Sequence, residues 1–312
     1  MITFGPVPSR RLGRSLGINN IITPKKCSYN CIYCQVGKTR QLSVKREVFF
    51  SPEAIEKAVS THLKQLKDED MPDYLTFVSN GEPTLDINLG KSITRLKATG
   101  IPVAVITNGS LLSDERVYDD IYPADWISAK IDAADEEVWK KINRPVSSLN
   151  FESMHQGISV FFKSFSGIAC TETMLVKNIN DSADHIFRLS GIVHAANPSK
   201  AYISIPIRPP SEKDVTPPDE EQLNIAWQVF TSTGVETELL TGFEGTGAGS
   251  TGNIYEDILN ITAVHPLRED SMRELLVKDN ATDHVVKSLL SQRLIKMVAY
   301  DGNIYFIRQY NS

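Results

Sequence analysis

Cys27-Ser28-Tyr29-Asn30-Cys31-Ile32-Tyr33-Cys34 gathers three of the chain's four cysteines into eight residues, spaced C-x3-C-x2-C. Thiolates that close together on a short loop can converge on one metal centre. Disulfide pairing would leave one thiol over. Three ligands stop one short of the usual four, so an iron–sulfur cluster held by them would leave one iron open to a further ligand. The alternative is a structural zinc loop, which wants a fourth Cys or His nearby. The loop contains none, and the nearest histidine, His62, is distant in sequence.

The chain around this loop has 312 residues, 41% of them hydrophobic, and a net charge of -5. That length suits one large α/β domain with a small appendage. The acidic balance argues against a general nucleic-acid glue. Yet residues 1–46 carry Arg10, Arg11, Arg14, Lys25, Lys26, Lys38, Arg40, Lys45 and Arg46, with no Asp or Glu before Glu47. Such a segment could attract an anionic substrate such as RNA, or be a solvated or internally paired face. No apolar run approaches the ~20 residues of a membrane helix, and the N-terminus lacks the apolar core of a secretory signal. Clustered cysteines without a signal segment predict a reduced, cytoplasmic protein and no membrane partner.

Positioning the cysteines requires a scaffold, and the sequence alternates short apolar, β-branched runs with helical patterns. Strands are expected at Asn19–Thr23, Tyr74–Ser79, Val103–Thr107, Trp126–Ile131, Ala169–Val176 and Ala201–Ile205. The first helix begins at Ser51-Pro52, an N-cap followed by proline at the first helical position, and runs to about Lys67. Others are expected near Ile87–Ala98, Ser113–Asp120, Ala134–Ile142, Phe151–Phe162, Ala183–Ala195 and Glu220–Thr233. The alternation predicts an α/β fold, a partial (β/α)6 TIM-like barrel over residues 1–240. Such a barrel gathers its site at the C-terminal strand ends. There the sequence has the cysteine loop, Asn80-Gly81-Glu82-Pro83-Thr84, Thr107-Asn108-Gly109-Ser110, Lys130-Ile131-Asp132 and Pro206-Ile207-Arg208-Pro209-Pro210.

Residues 241–254 read as a glycine-rich, mobile linker. They lack the lysine of a phosphate-binding loop. Residues 255–312 read as a separate unit: helices Tyr255–Val264, Glu269–Lys278 and Asp283–Gln292, then a hairpin, Ile295–Tyr300 and Ile304–Gln309, across Asp301-Gly302. This is a winged-helix-like pattern, but its charges balance slightly negative, whereas a DNA-reading wing usually has a basic face.

Several strand-end groups suit chemistry. At Gly81-Glu82-Pro83 a glycine permits close backbone approach, and a carboxylate can accept from an ammonium; alone, the tripeptide also fits an ordinary turn. Asn108 offers polar atoms or simple turn chemistry. Ser128, Lys130 and Asp132 alternate onto one face, as ligand contacts or as a polar interior layer. Arg208 could hold an anion or a surface salt bridge. Cys170, alone in an apolar strand, reads as a packing thiol.

The cysteine spacing with Tyr33 before the last cysteine resembles the radical S-adenosylmethionine (SAM) superfamily. Pro8-Ser9-Arg10-Arg11-Leu12-Gly13, Ser15-Leu16-Gly17-Ile18, Ser79–Leu85, Asp132-Ala133-Ala134-Asp135 and Asn143-Arg144-Pro145 extend the likeness to a wyosine-synthase-like group over most of residues 5–210. The resemblance implies a [4Fe–4S] cluster on Cys27, Cys31 and Cys34, with SAM on the open iron. It implies reductive cleavage of SAM to a 5′-deoxyadenosyl radical, an electron supplied by a flavodoxin or ferredoxin, and hydrogen abstraction from a substrate. It implies SAM contacts at Tyr33, Gly81, Glu82, Pro83, Asn108, Ser128, Lys130 and Asp132. The tRNA-wyosine synthases carry a second cluster on further cysteines. This chain has no second triplet, so the cluster and SAM positions carry over and the substrate does not. RNA, including tRNA, is the first candidate substrate; a peptide, protein or small metabolite is the second. An iron–sulfur redox sensor that reads DNA is the reading from another class.

Overall fold

The computed structural model describes residues 2–21 and 24–310. A hairpin opens the fold: β1 (Thr3–Ser9) pairs antiparallel with β2 (Gly13–Ile18), Thr3 opposite Ile18 and Ser9 opposite Gly13. Two short strands, β3 (Lys26–Cys27) and β4 (Gln41–Leu42), pair in parallel and bracket the cysteine loop. Strand–helix alternation follows: α1 (Pro52–Gln65), β5 (Tyr74–Phe77), α2 (Leu89–Leu96), β6 (Val103–Thr107), α3 (Glu115–Ile121) and β7 (Trp126–Lys130). Then come α4 (Glu136–Ile142), α5 (Phe151–Ser164), β8 (Ile168–Met174), α6 (Ala183–Ala196), β9 (Lys200–Ser204), α7 (Glu220–Ser232) and β10 (Thr237–Leu240).

These strands form one eight-stranded sheet in the order β1-β2-β5-β6-β7-β8-β9-β10, parallel throughout except for β1. This is an α/β fold with a sheet curled into a half-barrel. Alternation along each strand divides two cores. Ile127 and Ala129 of β7 join the large apolar core against the helices. Trp126 points the other way, into a small cluster with Ala104, Cys170, Tyr202 and Leu240 that plugs the concave face. Cys170 is thus a buried packing thiol. Beyond the plug, toward the C-terminal strand ends, the concave face turns polar with Lys130, Glu172 and Ser204.

The strand expected at Asn19–Thr23 is not found. Asn19, Asn20 and Ile21 follow β2 without strand structure, and Ile22 and Thr23 lie outside the described residues. The sheet instead takes Gly13–Ile18, whose two glycines and arginine hide the usual β-branched signature. Gly17 is there for space: a Cβ would sit 2.1 Å from the Phe4 ring across the hairpin. A seventh parallel strand, β10, was also not expected, being four residues long and mostly half-buried at the sheet edge. The six-stranded barrel is therefore corrected to eight strands, with the β1–β2 hairpin at one edge and β10 at the other.

Beyond β10 the chain runs α8 (Ile254–Val264), β11 (Leu267–Arg268), α9 (Glu269–Lys278), α10 (His284–Ser291), β12 (Ile295–Tyr300) and β13 (Asn303–Arg308). The last strands form a sheet ordered β11-β13-β12. Ile258, Ile261 and Val264 share one core with Phe4 and Val7 of β1, so this unit packs against the edge of the main sheet. The glycine-rich stretch is seated rather than free. Gly249 N donates to Pro6 O at 2.6 Å, and the Arg268 guanidinium lies 3.5 Å from the Phe243 ring centre. No helix among the described residues is long and apolar enough to cross a membrane.

Gly17→Ala is expected to destabilise the fold by about 1–3 kcal/mol through overpacking. In a Phe4→Ala background the same substitution should cost much less; equal costs in both backgrounds, read by urea unfolding, would reject the contact.

Candidate iron–sulfur and cofactor site

The cysteine loop is fastened on three sides. Glu82 N donates to Lys26 O at 3.1 Å, tying β3 to the loop after β5. Asn30 N and Ile32 N donate to the carbonyls of Asn143 and Ile142 at the end of α4, at 2.9 and 3.0 Å. Ser211 Oγ, in the loop after β9, donates to Cys31 O at 2.8 Å. Gly81 makes the first tie feasible. Its φ is +146°, and a Cβ there would fall 1.8 Å from Lys26 O. Only glycine meets both demands.

Each thiol is partly exposed and has a nitrogen donor beside its sulfur. Tyr29 N and Asn108 Nδ2 approach Cys27 Sγ at 3.5 and 3.6 Å, Asn143 Nδ2 approaches Cys31 Sγ at 3.4 Å, and Lys25 Nζ approaches Cys34 Sγ at 3.0 Å. Burial pushes the Cys27 thiol up, and Cys31 up to about 12. Burial acts the same way on Cys34, but the charge and hydrogen bond of Lys25 outweigh it and bring this thiol below its ordinary value. Burial would lower Lys25 itself. Its field from all three cysteines, Cys34 foremost, holds it above its ordinary value.

Glu82 is buried at the end of β5. Its Oε1 accepts from Thr107 Oγ1, Thr84 Oγ1 and Thr84 N at 2.6, 2.7 and 3.1 Å, and its Oε2 accepts from Asn108 N at 2.8 Å. Burial raises its pKa against these donors. An ammonium contact at this side chain would compete with four protein donors, so what it does here is bind the ends of β5 and β6 together. Pro83 begins the turn that follows it. Asn108 Nδ2 also donates to Ser28 Oγ at 2.8 Å, reaching from the β6 end into the cysteine loop.

Asp132, just past β7, accepts from Tyr33 Oη at 2.5 Å, Asn143 Nδ2 at 2.7 Å and Met174 N at 2.8 Å. Burial raises its pKa, opposed by Lys130 and these bonds. Lys130 Nζ lies 5.7 Å from the Tyr33 ring centre and pairs with Glu172 at 2.6 Å. Ser128 is buried two residues earlier on the same face of β7. Tyr33, Gly81, Glu82, Pro83, Asn108, Lys130 and Asp132 thus gather around the loop, with Ser128 deeper. Reading from sequence placed Lys25 in the basic segment without its contact to Cys34, missed Glu172, and assigned no role to Asn143, although it lies in a motif already noted.

The sequence profile described as "Radical SAM superfamily" matches residues 21–189. The chain belongs to the radical SAM superfamily. It is 42% identical to a UPF0026 protein of Methanocaldococcus jannaschii over 313 residues, covering 100% of this chain and 97% of that one. Among solved structures, a radical SAM methyltransferase from Sphaerobacter thermophilus superposes with a TM-score of 0.55 at 12% identity, over 73% of this chain and 66% of that one. A TYW1 structure with a lysine-pyruvate adduct bound superposes with a TM-score of 0.48 at 15% identity, over 96% and 82%.

Radical SAM proteins are enzymes that use a [4Fe–4S] cluster and SAM, and the donor set fits the cluster. The loop offers three thiols and no fourth Cys or His, one ligand short of a structural zinc shell. Three thiols, each beside a donor, match a cluster's three thiolates and the hydrogen bonds that tune its sulfurs. Coordination would deprotonate Cys27 and Cys31 despite their raised values.

Cys27→Ala, Cys31→Ala and Cys34→Ala are each expected to bring iron and acid-labile sulfide to background after anaerobic reconstitution, whereas Cys170→Ala retains both. Asn143→Ala removes donors from Cys31 and Asp132. It should cost about 1–3 kcal/mol in metal-free unfolding; an unchanged midpoint would show that these bonds are not maintained.

Proposed function

We propose that this radical SAM enzyme abstracts hydrogen from an anionic substrate that enters through a basic mouth above the cysteine loop. When bound, the cluster supplies the electron that splits SAM and so generates the radical chemistry. The chain's own residues position and shield. Cys27, Cys31 and Cys34 would hold the cluster. Tyr33, the Gly81-Glu82-Pro83 turn, Asn108, Ser128, Lys130 and Asp132 would surround SAM.

One observation carries the substrate class. A cavity of about 720 Å³ opens over the loop, and its lining includes Lys25, Lys38, Arg40, Lys213, Lys296 and Arg308. Arg308 Nη1 is buried there without a hydrogen-bond partner. Part of this lining comes from the C-terminal unit, which supports reading that winged-helix-like unit as a roof over the site. Tyr300 Oη and Tyr305 Oη donate to Pro206 O and Ile207 O at 3.1 and 2.8 Å, joining its hairpin to the loop after β9. A wing so engaged suits substrate docking better than a free DNA reader. RNA, with its phosphates, is the first candidate in a cytoplasmic setting, with a flavodoxin or ferredoxin as electron donor. A small anionic metabolite or a peptide is the second, favoured by an arginine-lined cavity deeper in the sheet.

Anaerobically reconstituted protein with SAM and dithionite is expected to form 5′-deoxyadenosine. Its affinity for tRNA should fall with salt, with a log–log slope that drops by about one for each phosphate contact removed, as in Lys296→Ala. Absence of 5′-deoxyadenosine overturns the radical reading. Absence of salt-dependent binding overturns RNA alone.

A further inference from the structure

The concave face of the sheet gathers four cationic side chains, three of them lining one small cavity. Arg10 and Arg11 enter from the β1–β2 turn, Lys130 from β7 and Arg208 from the loop after β9. Two carboxylates pair directly with three of these cations, and the charges of Asp132 and Glu238 act on Lys130 and Arg10. Glu172 pairs with Arg11 and Lys130, and Glu244 pairs with Arg208. Arg10 forms no ion pair among the described residues; its guanidinium donates to Leu240 O. Arg11 Nε and Glu244 Oε2 are buried without hydrogen-bond partners. A cavity of about 90 Å³ has Arg10, Arg11, Gln35, Arg208, Glu244 and His265 on its polar side and apolar side chains from β1, from the end of β5 and from β6 on the other. Three guanidinium groups converging on one cavity make it a place for an anion.

Glu244 reaches this cavity on an unusual segment. Residues 242–252 hold Gly242, Gly245, Gly247, Gly249 and Gly252. A Cβ at Gly242 or Gly245 would meet no atom within 4 Å, so the part that carries Glu244 has open space beside it, whereas residues 248–251 are anchored by Pro6, Asp279 and Asp257. The cavity adjoins the cysteine loop. Gln35 follows Cys34, and its Oε1 accepts from Arg208 Nη1 at 3.0 Å. Glu172 links Arg11 to Lys130, beside Tyr33.

We propose that the arginine-lined cavity is a subsite for a carboxylate of the substrate, and that Glu244 occupies it as a built-in stand-in until the substrate displaces it with its glycine-rich segment. This rests on the reading that an anion is processed at the cluster site, and it selects the small-acid class. The group now seated there is a carboxylate, and a guanidinium fork matches that planar anion. A phosphodiester, substituted on both sides, needs room on two flanks where a terminal carboxylate needs it on one.

The test titrates reconstituted protein with succinate, with neutral succinamide and with inorganic phosphate at matched ionic strength, following affinity by calorimetry and amide exchange over residues 242–252. Removing the internal competitor should tighten succinate binding about tenfold in Glu244→Gln, since apparent affinity scales with the fraction of open subsite. Glu244→Asp, one methylene shorter, should fall between the two and covers failure of the first variant to fold. Arg208→Gln should lose binding, and succinate should speed exchange in the segment of the unsubstituted protein. Equal succinate affinity with and without Glu244, an unresponsive segment, or phosphate binding as tightly as succinate would each overturn the proposal. All these readouts are binding alone. Unsubstituted protein that forms 5′-deoxyadenosine yet shows none of these responses loses the subsite only, whereas absence of 5′-deoxyadenosine sinks the radical reading.

Discussion

The site depends on one close approach, that of the Gly81 backbone to Lys26. With 1.8 Å between Lys26 O and the place where a Cβ would stand, any other residue would push the cysteine strand off the end of β5. Through that contact β3 joins the strand ends, although it is not part of the main sheet. Glu82, the next residue, extends the joint to β6 through Thr107 and Asn108, and Asn108 returns to Ser28 and Cys27. The cysteine loop is therefore held by a circuit of protein hydrogen bonds. Such preorganisation places a cofactor's reactive atoms without a reordering cost at the time of reaction.

Charge on the concave face follows the same logic of mutual support. Glu172 is fully buried, which alone would raise its pKa, yet Arg11 and Lys130 hold it well below the usual carboxylate range. Lys130 is in turn held beside Tyr33, and Tyr33 donates to Asp132. A run of alternating charge and hydrogen bond thus leads from the β1–β2 turn to the cysteine loop. Removing one member would leave its neighbours buried and uncompensated, which costs more than the pair itself contributes.

The sequence carried the helices clearly and the sheet edges poorly, for physical reasons. Ser51-Pro52 predicts the start of α1, and Ser51 Oγ accepts from Ala54 N at 3.2 Å. Asp301-Gly302 predicts the hairpin turn, and both residues have positive φ, 46° and 70°. Helix starts and tight turns are set by local chemistry, so local sequence reports them. β2 is set by a partner: its Gly17 answers to Phe4, thirteen positions away in the chain. The superfamily and its cysteine loop were legible because three thiols at short spacing have few uses. Glu172 was not, because an isolated Glu in an apolar strand signals nothing until Arg11 and Lys130 are brought to it. Glu244 was hidden by its setting, since glycines on either side read as a tether whatever charge they carry.

The packing of the C-terminal unit decides which part of the molecule can open. Ile258, Ile261 and Val264 of α8 are buried in one core with Phe4 and Val7 of β1. At about 1.5–3 kcal/mol per buried apolar side chain, even part of that contact amounts to several kcal/mol. The pair of Lys278 with Asp70 and the two tyrosine bonds to the loop after β9 add to it. Swinging the unit away would also bare β1, an edge strand whose unpaired backbone invites aggregation. Residues 242–247 of the glycine-rich segment are held by fewer contacts than residues 248–251. The segment's C-terminal half is tied down by the Gly249–Pro6 bond, by Ser250 on Asp279, by Thr251 on Asp257 and by buried Ala248, while its N-terminal half rests on Phe243 under Arg268 and on the Glu244 carboxylate, whose second oxygen has no partner. On the proposed reading, displacing that carboxylate disturbs only the Glu244 end of the segment, whereas undocking the C-terminal unit would break an apolar core. The displacement also exchanges one carboxylate for another at the arginines, so that the charge there is the same before and after.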